Sequence, residues 1–177
     1  MSKKTTLKLV YAAVCLALAM LLHLMTGQIQ QIGNALCPMH IPVILCGFLC
    51  GWPYGLIVGF IAPILRFFVF GMPPLMPMGI AMAFELAAYG CISGFLYRQL
   101  PKTNFNIYIS LVTAMLAGRV IWGIARLVLA GIQADTFPLS AFVAGAVTNA
   151  IPGIILHIIL IPAIIMALKK AGLVLND

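Results

Sequence analysis

Four ionisable side chains interrupt long apolar runs in this chain: Arg66, Glu85, Arg119 and Arg126. Arg119, Trp122 and Arg126 follow one another at i, i+3 and i+7, which lines up two guanidiniums and an indole along one helical face. A guanidinium holds a carboxylate or phosphate by charge-assisted, often paired hydrogen bonds, so this face suits a ligand with an anionic group. Glu85 offers one acid, too few for a divalent-cation cluster, and it has no nucleophile or metal set beside it in sequence to make an enzyme site. The chemistry on offer is binding, and the chain reads as a non-enzyme.

Each of these residues also has a plainer role. Glu85 and Arg119 can form a buried ion pair that sets helix register, with Asn149 hydrogen-bonding across helices. Arg66 and Arg126 can reach out to lipid headgroups along their own methylenes. The pair alone leaves those two arginines as surplus positive charge, which an anionic ligand would satisfy. The candidate binding set is therefore Arg119, Trp122, Arg126, Glu85, Asn149 and Arg66. His157 reads as a packed residue deep in the last helix. His23, near the outer end of the first helix, and His40, with Gln28, Gln30, Gln31 and Asn34 in the first outer loop, read together as a lid able to close over a ligand.

The elements that carry these residues must be membrane spans. Of 177 residues, 64% are hydrophobic and 7% charged, and the mean hydropathy is +1.16, against roughly 25% charged residues in an average soluble domain. A span takes about 20 apolar residues, so the chain holds about six, in an all-α bundle forming a single membrane domain over 1–177. Breakers place the helices at about 9–25, 41–51, 54–70, 77–100, 107–131 and 139–170: Gly51-Trp52-Pro53-Tyr54-Gly55 reverses the chain, and Gly71-Met72-Pro73-Pro74 stops the third helix. The second is short for a span and needs shielding by its neighbours or a thinned bilayer. Pro152 and Pro162 are expected to kink the last.

Counting from the outer helix ends at 1.5 Å per residue, Arg66 and Arg126 lie roughly 6 to 8 Å deep and Glu85 and Asn149 roughly 12 to 14 Å. These depths place one polar pocket in the outer half, among the last three helices. Lys3, Lys4, Lys8, Arg98, Lys102, Lys169 and Lys170 fall on one side, and the loops around 28–40, 71–76 and 133–138 carry no Lys or Arg. Basic residues stay cytoplasmic in short loops, so both termini are expected inside. This topology also accounts for the net charge of +7 without a nucleic-acid partner. The first apolar run resembles a signal peptide but lacks a clear small-x-small cleavage site, and it reads as a retained helix.

The five cysteines sit mostly in apolar runs, and Cys46 and Cys50 are spaced i, i+4 rather than C-x-x-C. Neither a disulfide framework nor a metal site is expected, and no cofactor. Small residues recur every four positions at Gly47, Gly51, Gly55 and Gly59, at Gly90 and Gly94, and at Ala13 and Ala17. Such faces let helix backbones approach closely in lipid, and the glycines read as packing within the bundle.

Size, six spans, inside termini, Ala13-x-x-x-Ala17, the outer-loop segment 27–41 and the run Asn149-Ala150-Ile151-Pro152-Gly153 together resemble the substrate-binding S component of energy-coupling factor (ECF) vitamin transporters. The chain looks closest to the riboflavin, pantothenate and folate branch. The resemblance implies a membrane-embedded capture subunit in a prokaryotic plasma membrane, with the ligand held near the outer surface by the last three helices. It also implies partners: a transmembrane coupling subunit contacted through Ala13 and Ala17, and two cytoplasmic ATPase subunits. The arginine surplus favours an anionic vitamin, pantothenate first and riboflavin or folate next. The alternative is a stand-alone secondary transporter or channel, permitted by the breaks at 51–55 and Pro152. Against it stand the lack of an internal repeat and of a relay of acids.

Overall fold

The computed structural model describes residues 3–25, 36–132, 138–146 and 150–176, and every regular element among them is helical. In chain order these are α1 (Lys3–Met25), α2 (His40–Cys50), α3 (Trp52–Phe70), α4 (Ile80–Gln99), α5 (Asn104–Ile132), α6 (Leu139–Ala146) and α7 (Ile151–Lys170). A wide helical turn, Leu75–Gly79, leads into α4. α1, α3, the turn with α4, α5 and α7 are each long and apolar enough to cross a membrane, and α2 is a shorter apolar helix beside them. The protein is thus a membrane helical bundle. Its last expected helix corresponds to α6 and α7, on either side of residues 147–149, which lie outside the described residues.

Local chemistry sets the helix ends. Gly71 takes a left-handed conformation, φ 72° and ψ 2°, and its N–H donates to the Phe67 carbonyl, closing α3 in the way a residue without Cβ allows. Leu100, extended at φ −88° and ψ 150°, ends α4 because the following Pro101 disfavours a helical residue before it. α5 begins at Asn104, upstream of the expected 107, because Thr103 Oγ1 accepts from the Asn106 N–H and Asn106 Nδ2 donates to the Pro101 carbonyl. At 29 residues, α5 is about 43 Å long, more than the roughly 30 Å hydrocarbon layer.

α2 has only 11 residues, all of them buried, so the short helix is shielded by its neighbours: α1, α3, α4 and α7 all pack on it. Glycines make that enclosure possible. A Cβ on Gly47 would collide with the Gly90 carbonyl, and one on Gly90 with the Gly55 carbonyl, so α2, α3 and α4 meet nearly backbone to backbone. The glycine repeat read from the sequence is spent inside the bundle.

The far end of α2 is sealed by the segment after α7. The Leu175 N–H donates to the Leu49 carbonyl at 2.9 Å. The buried Asn176 side chain donates through Nδ2 to the Gly94 carbonyl at 2.9 Å and to that of Gly47 at 3.3 Å. Lys102 Nζ donates to the Asn176 and Tyr97 carbonyls at 3.0 and 2.7 Å and lies over the Tyr97 ring, while Lys169 Nζ donates to the Lys102 carbonyl. Carbonyls at the end of a buried helix have no water to turn to, and here protein donors meet them.

Candidate functional site

The opposite end of α2 opens into a cluster of polar side chains from four helices. Glu85 on α4 is its centre, 2% exposed. Its Oε1 receives Arg119 Nη1 of α5 at 2.8 Å and the Tyr89 hydroxyl at 2.9 Å. Tyr89 follows Glu85 by one helical turn, which puts both on one face of α4. Its ring lies where a Cβ on Gly118 would be, so the glycine ahead of Arg119 makes room for it. His40, the first residue of α2, brings Nε2 to 3.7 Å from the same oxygen, a charge-pair distance too long for a hydrogen bond.

Two further residues complete the cluster. His157 of α7 stacks on His40, with ring centroids 5.9 Å apart and planes inclined by 23°. Cys37, in the connection ahead of α2, places Sγ 4.0 Å from Arg119 Nη2; burial pushes its thiol up, and the guanidinium acts in the opposite sense. Among the described residues, both ring nitrogens of His40 and Nε2 of His157 lack a hydrogen-bond partner although each residue is only 3% exposed. Arg119, its side chain 18% exposed, and Cys37 are the partly exposed members of the cluster.

Of the residues singled out in the sequence, Glu85 and Arg119 meet directly. Trp122 lies one turn from Arg119 on α5 but turns to α6, stacking on Phe142 at 6.1 Å over Gly145, whose missing Cβ makes room for the indole. It belongs to a small apolar cluster with Ala81 and Leu129. Arg126 stands two turns further along α5, about 10 Å from Arg119 by helical rise, and Arg66 lies near the end of α3; both are half-buried. Asn149, the His23 side chain, Gln28, Gln30, Gln31 and Asn34 fall outside the described residues.

His40, expected in an outer loop, is instead a buried helix-initiating residue, and His157, expected as mere packing, is its stacking partner. The i, i+4 spacing of Glu85 and Tyr89 was a readable signal. The histidines gave none, being 117 positions apart in the chain.

The arrangement presents one partly exposed guanidinium backed by a buried carboxylate. No group of His, Cys, Asp and Glu able to hold a metal ion occurs among the described residues. An apolar groove of about 300 Å³ between α4 and α5, lined by Phe84, Ile124 and Val128 among others, is separate in character: these three side chains are exposed, as lipid-facing surface is.

A family model described as "ECF transporter, substrate-specific component" matches residues 7–167. Neither the curated proteins nor the solved structures contain a match to the chain.

Proposed function

Because the chain belongs to the ECF transporter substrate-specific component family, we propose that it captures a small anionic vitamin from outside and delivers it by engaging a separate energy-coupling module. It is a substrate-specific membrane subunit of a transporter, and the match over 7–167 is the observation that carries the reading. Pantothenate is the first candidate ligand, riboflavin or folate the next. The partly exposed Arg119 supports an anionic ligand, since a guanidinium in low-dielectric surroundings binds carboxylates strongly. Arg126, Arg66, Trp122 and Asn149 complete the proposed set, with Glu85 holding Arg119 in place.

The coupling subunit, driven by two cytoplasmic ATPases, would dock on α1 through Ala13 and Ala17. Both alanines are exposed, while Ala12, Cys15 and Ala19 of the same helix are buried. An outward-facing pair of small residues supports close approach of a partner helix. We place the protein in a prokaryotic plasma membrane as one membrane domain, with the lysine-rich termini in the cytoplasm.

Native mass spectrometry of the gently purified protein tests the capture role. A retained small molecule with a vitamin's mass is expected; an empty protein that no vitamin stabilises against heat would overturn it. For the docking role, Ala17→Trp should abolish uptake and leave vitamin binding intact. Normal uptake by that variant would remove the proposed contact.

A further inference from the structure

The charges in the cluster cancel, and this constrains what can bind. Glu85 and Arg119, 2.8 Å apart, carry no net charge together. An anionic group docking on Arg119 adds a negative charge to a site sheltered from water, where an uncompensated charge is costly. It also asks one guanidinium to serve two anions.

His40 is placed to restore the balance. Its Nε2 is 3.7 Å from the same Glu85 oxygen that Arg119 holds, and neither ring nitrogen has a hydrogen-bond partner among the described residues, though the residue is only 3% exposed. A small movement would turn that contact into a charge-assisted hydrogen bond once the ring is protonated. Imidazole is the side chain whose ordinary charge change falls between pH 5 and 8. Facing His40 are Glu85 and Tyr89 from α4, His157 from α7 and, beyond Glu85, Arg119 from α5. Cys37 precedes it in the chain, α1 presents Cys15 beside Cys46 further along α2, and α3 carries Arg66 near its end.

We propose that capture of an anion at Arg119 is coupled to uptake of one proton at His40, which takes over Glu85 while Arg119 turns to the ligand. The proton comes from bulk water and returns there on release. The coupling is reciprocal: protonating His40 favours anion binding, and losing that proton favours release. The inference rests on Arg119 being the ligand's anion contact, as read above.

Arginine labelling in the absence of ligand tests it. Protein in lipid nanodiscs is treated with phenylglyoxal, which condenses with water-accessible guanidine groups, and peptide mass spectrometry reads Arg119 against the exposed Arg98 as internal reference. The Arg119 to Arg98 ratio should rise several-fold on acidification, and should stay flat in His40→Gln. A flat ratio in the unaltered protein overturns the coupling, and so does an equal rise in the variant. Because no ligand is present, the result stands whether or not a vitamin binds. Vitamin binding together with flat labelling keeps the capture role and removes the proton.

Discussion

The two ends of α2 are both buried and both polar, yet they are built on different terms. Near Gly51, the Gly47, Leu49 and Gly94 carbonyls receive Asn176 Nδ2 and the Leu175 N–H, and Lys102 secures the Asn176 carbonyl in turn. Amide and ammonium donors there answer backbone acceptors, and the arrangement closes on itself. At the His40 end, one carboxylate oxygen is shared among a guanidinium, a hydroxyl and an imidazole, and three histidine nitrogens have no hydrogen-bond partner among the described residues. Polar groups that only hold a fold together tend to finish fully paired. The His40 end departs from that tendency, and it is the end the proposed function uses.

Substitutions at the two ends sharpen or break that contrast. The largest expected effect is at Glu85: Glu85→Ala leaves Arg119 as an uncompensated, largely buried charge and should destabilise the protein by about 3 to 5 kcal/mol, read as a lower thermal midpoint in detergent. Adding Arg119→Ala should recover part of that loss, and a single-variant cost near zero would remove the pair from the scaffold. Asn176→Ala at the other end should cost about 1 to 3 kcal/mol, since it strips a donor from two buried carbonyls. Ligand affinity should be unchanged there; a fall in affinity alongside stability would make the two ends one coupled unit.

The smallest stability effect is expected for His40→Phe, about 1 kcal/mol or less, because an apolar ring replaces nitrogens that had no hydrogen-bond partner to lose. Affinity for an anionic vitamin should nevertheless drop about tenfold or more, equivalent to about 1.4 kcal/mol. If His40→Phe instead loses stability while binding as before, the histidine is scaffold and the contrast fails.

Much of this site was readable one residue at a time. Glu85 and Arg119 stood out because a charge inside an apolar run is costly and rare, and no further information was needed to single them out. Trp122 was readable as sharing a helical face with Arg119 and Arg126, but the spacing could not say that α6 would cover it through Phe142 and Gly145. His40 was assigned to a loop because the polar stretch before it blurs where the helix starts. His157 looked inert because its meaning depends on His40, and Asn176 carried no periodic signal at all. Their partners come from distant segments, and pairings of that kind leave no mark in local spacing.

The sequence by itself determined that this is a multi-helix membrane protein of a particular transporter family, and roughly where its helices lie. Those properties follow from hydropathy summed over about 20 neighbouring residues, and from the need of a chain in lipid to satisfy its backbone within each helix. Only the tertiary structure decided which buried polar groups meet. Successive residues point about 100° apart around a helix, so the rotation set by Gly47, Gly55 and Gly90 packing against one another decides whether Glu85 faces Arg119 and His40 or faces lipid.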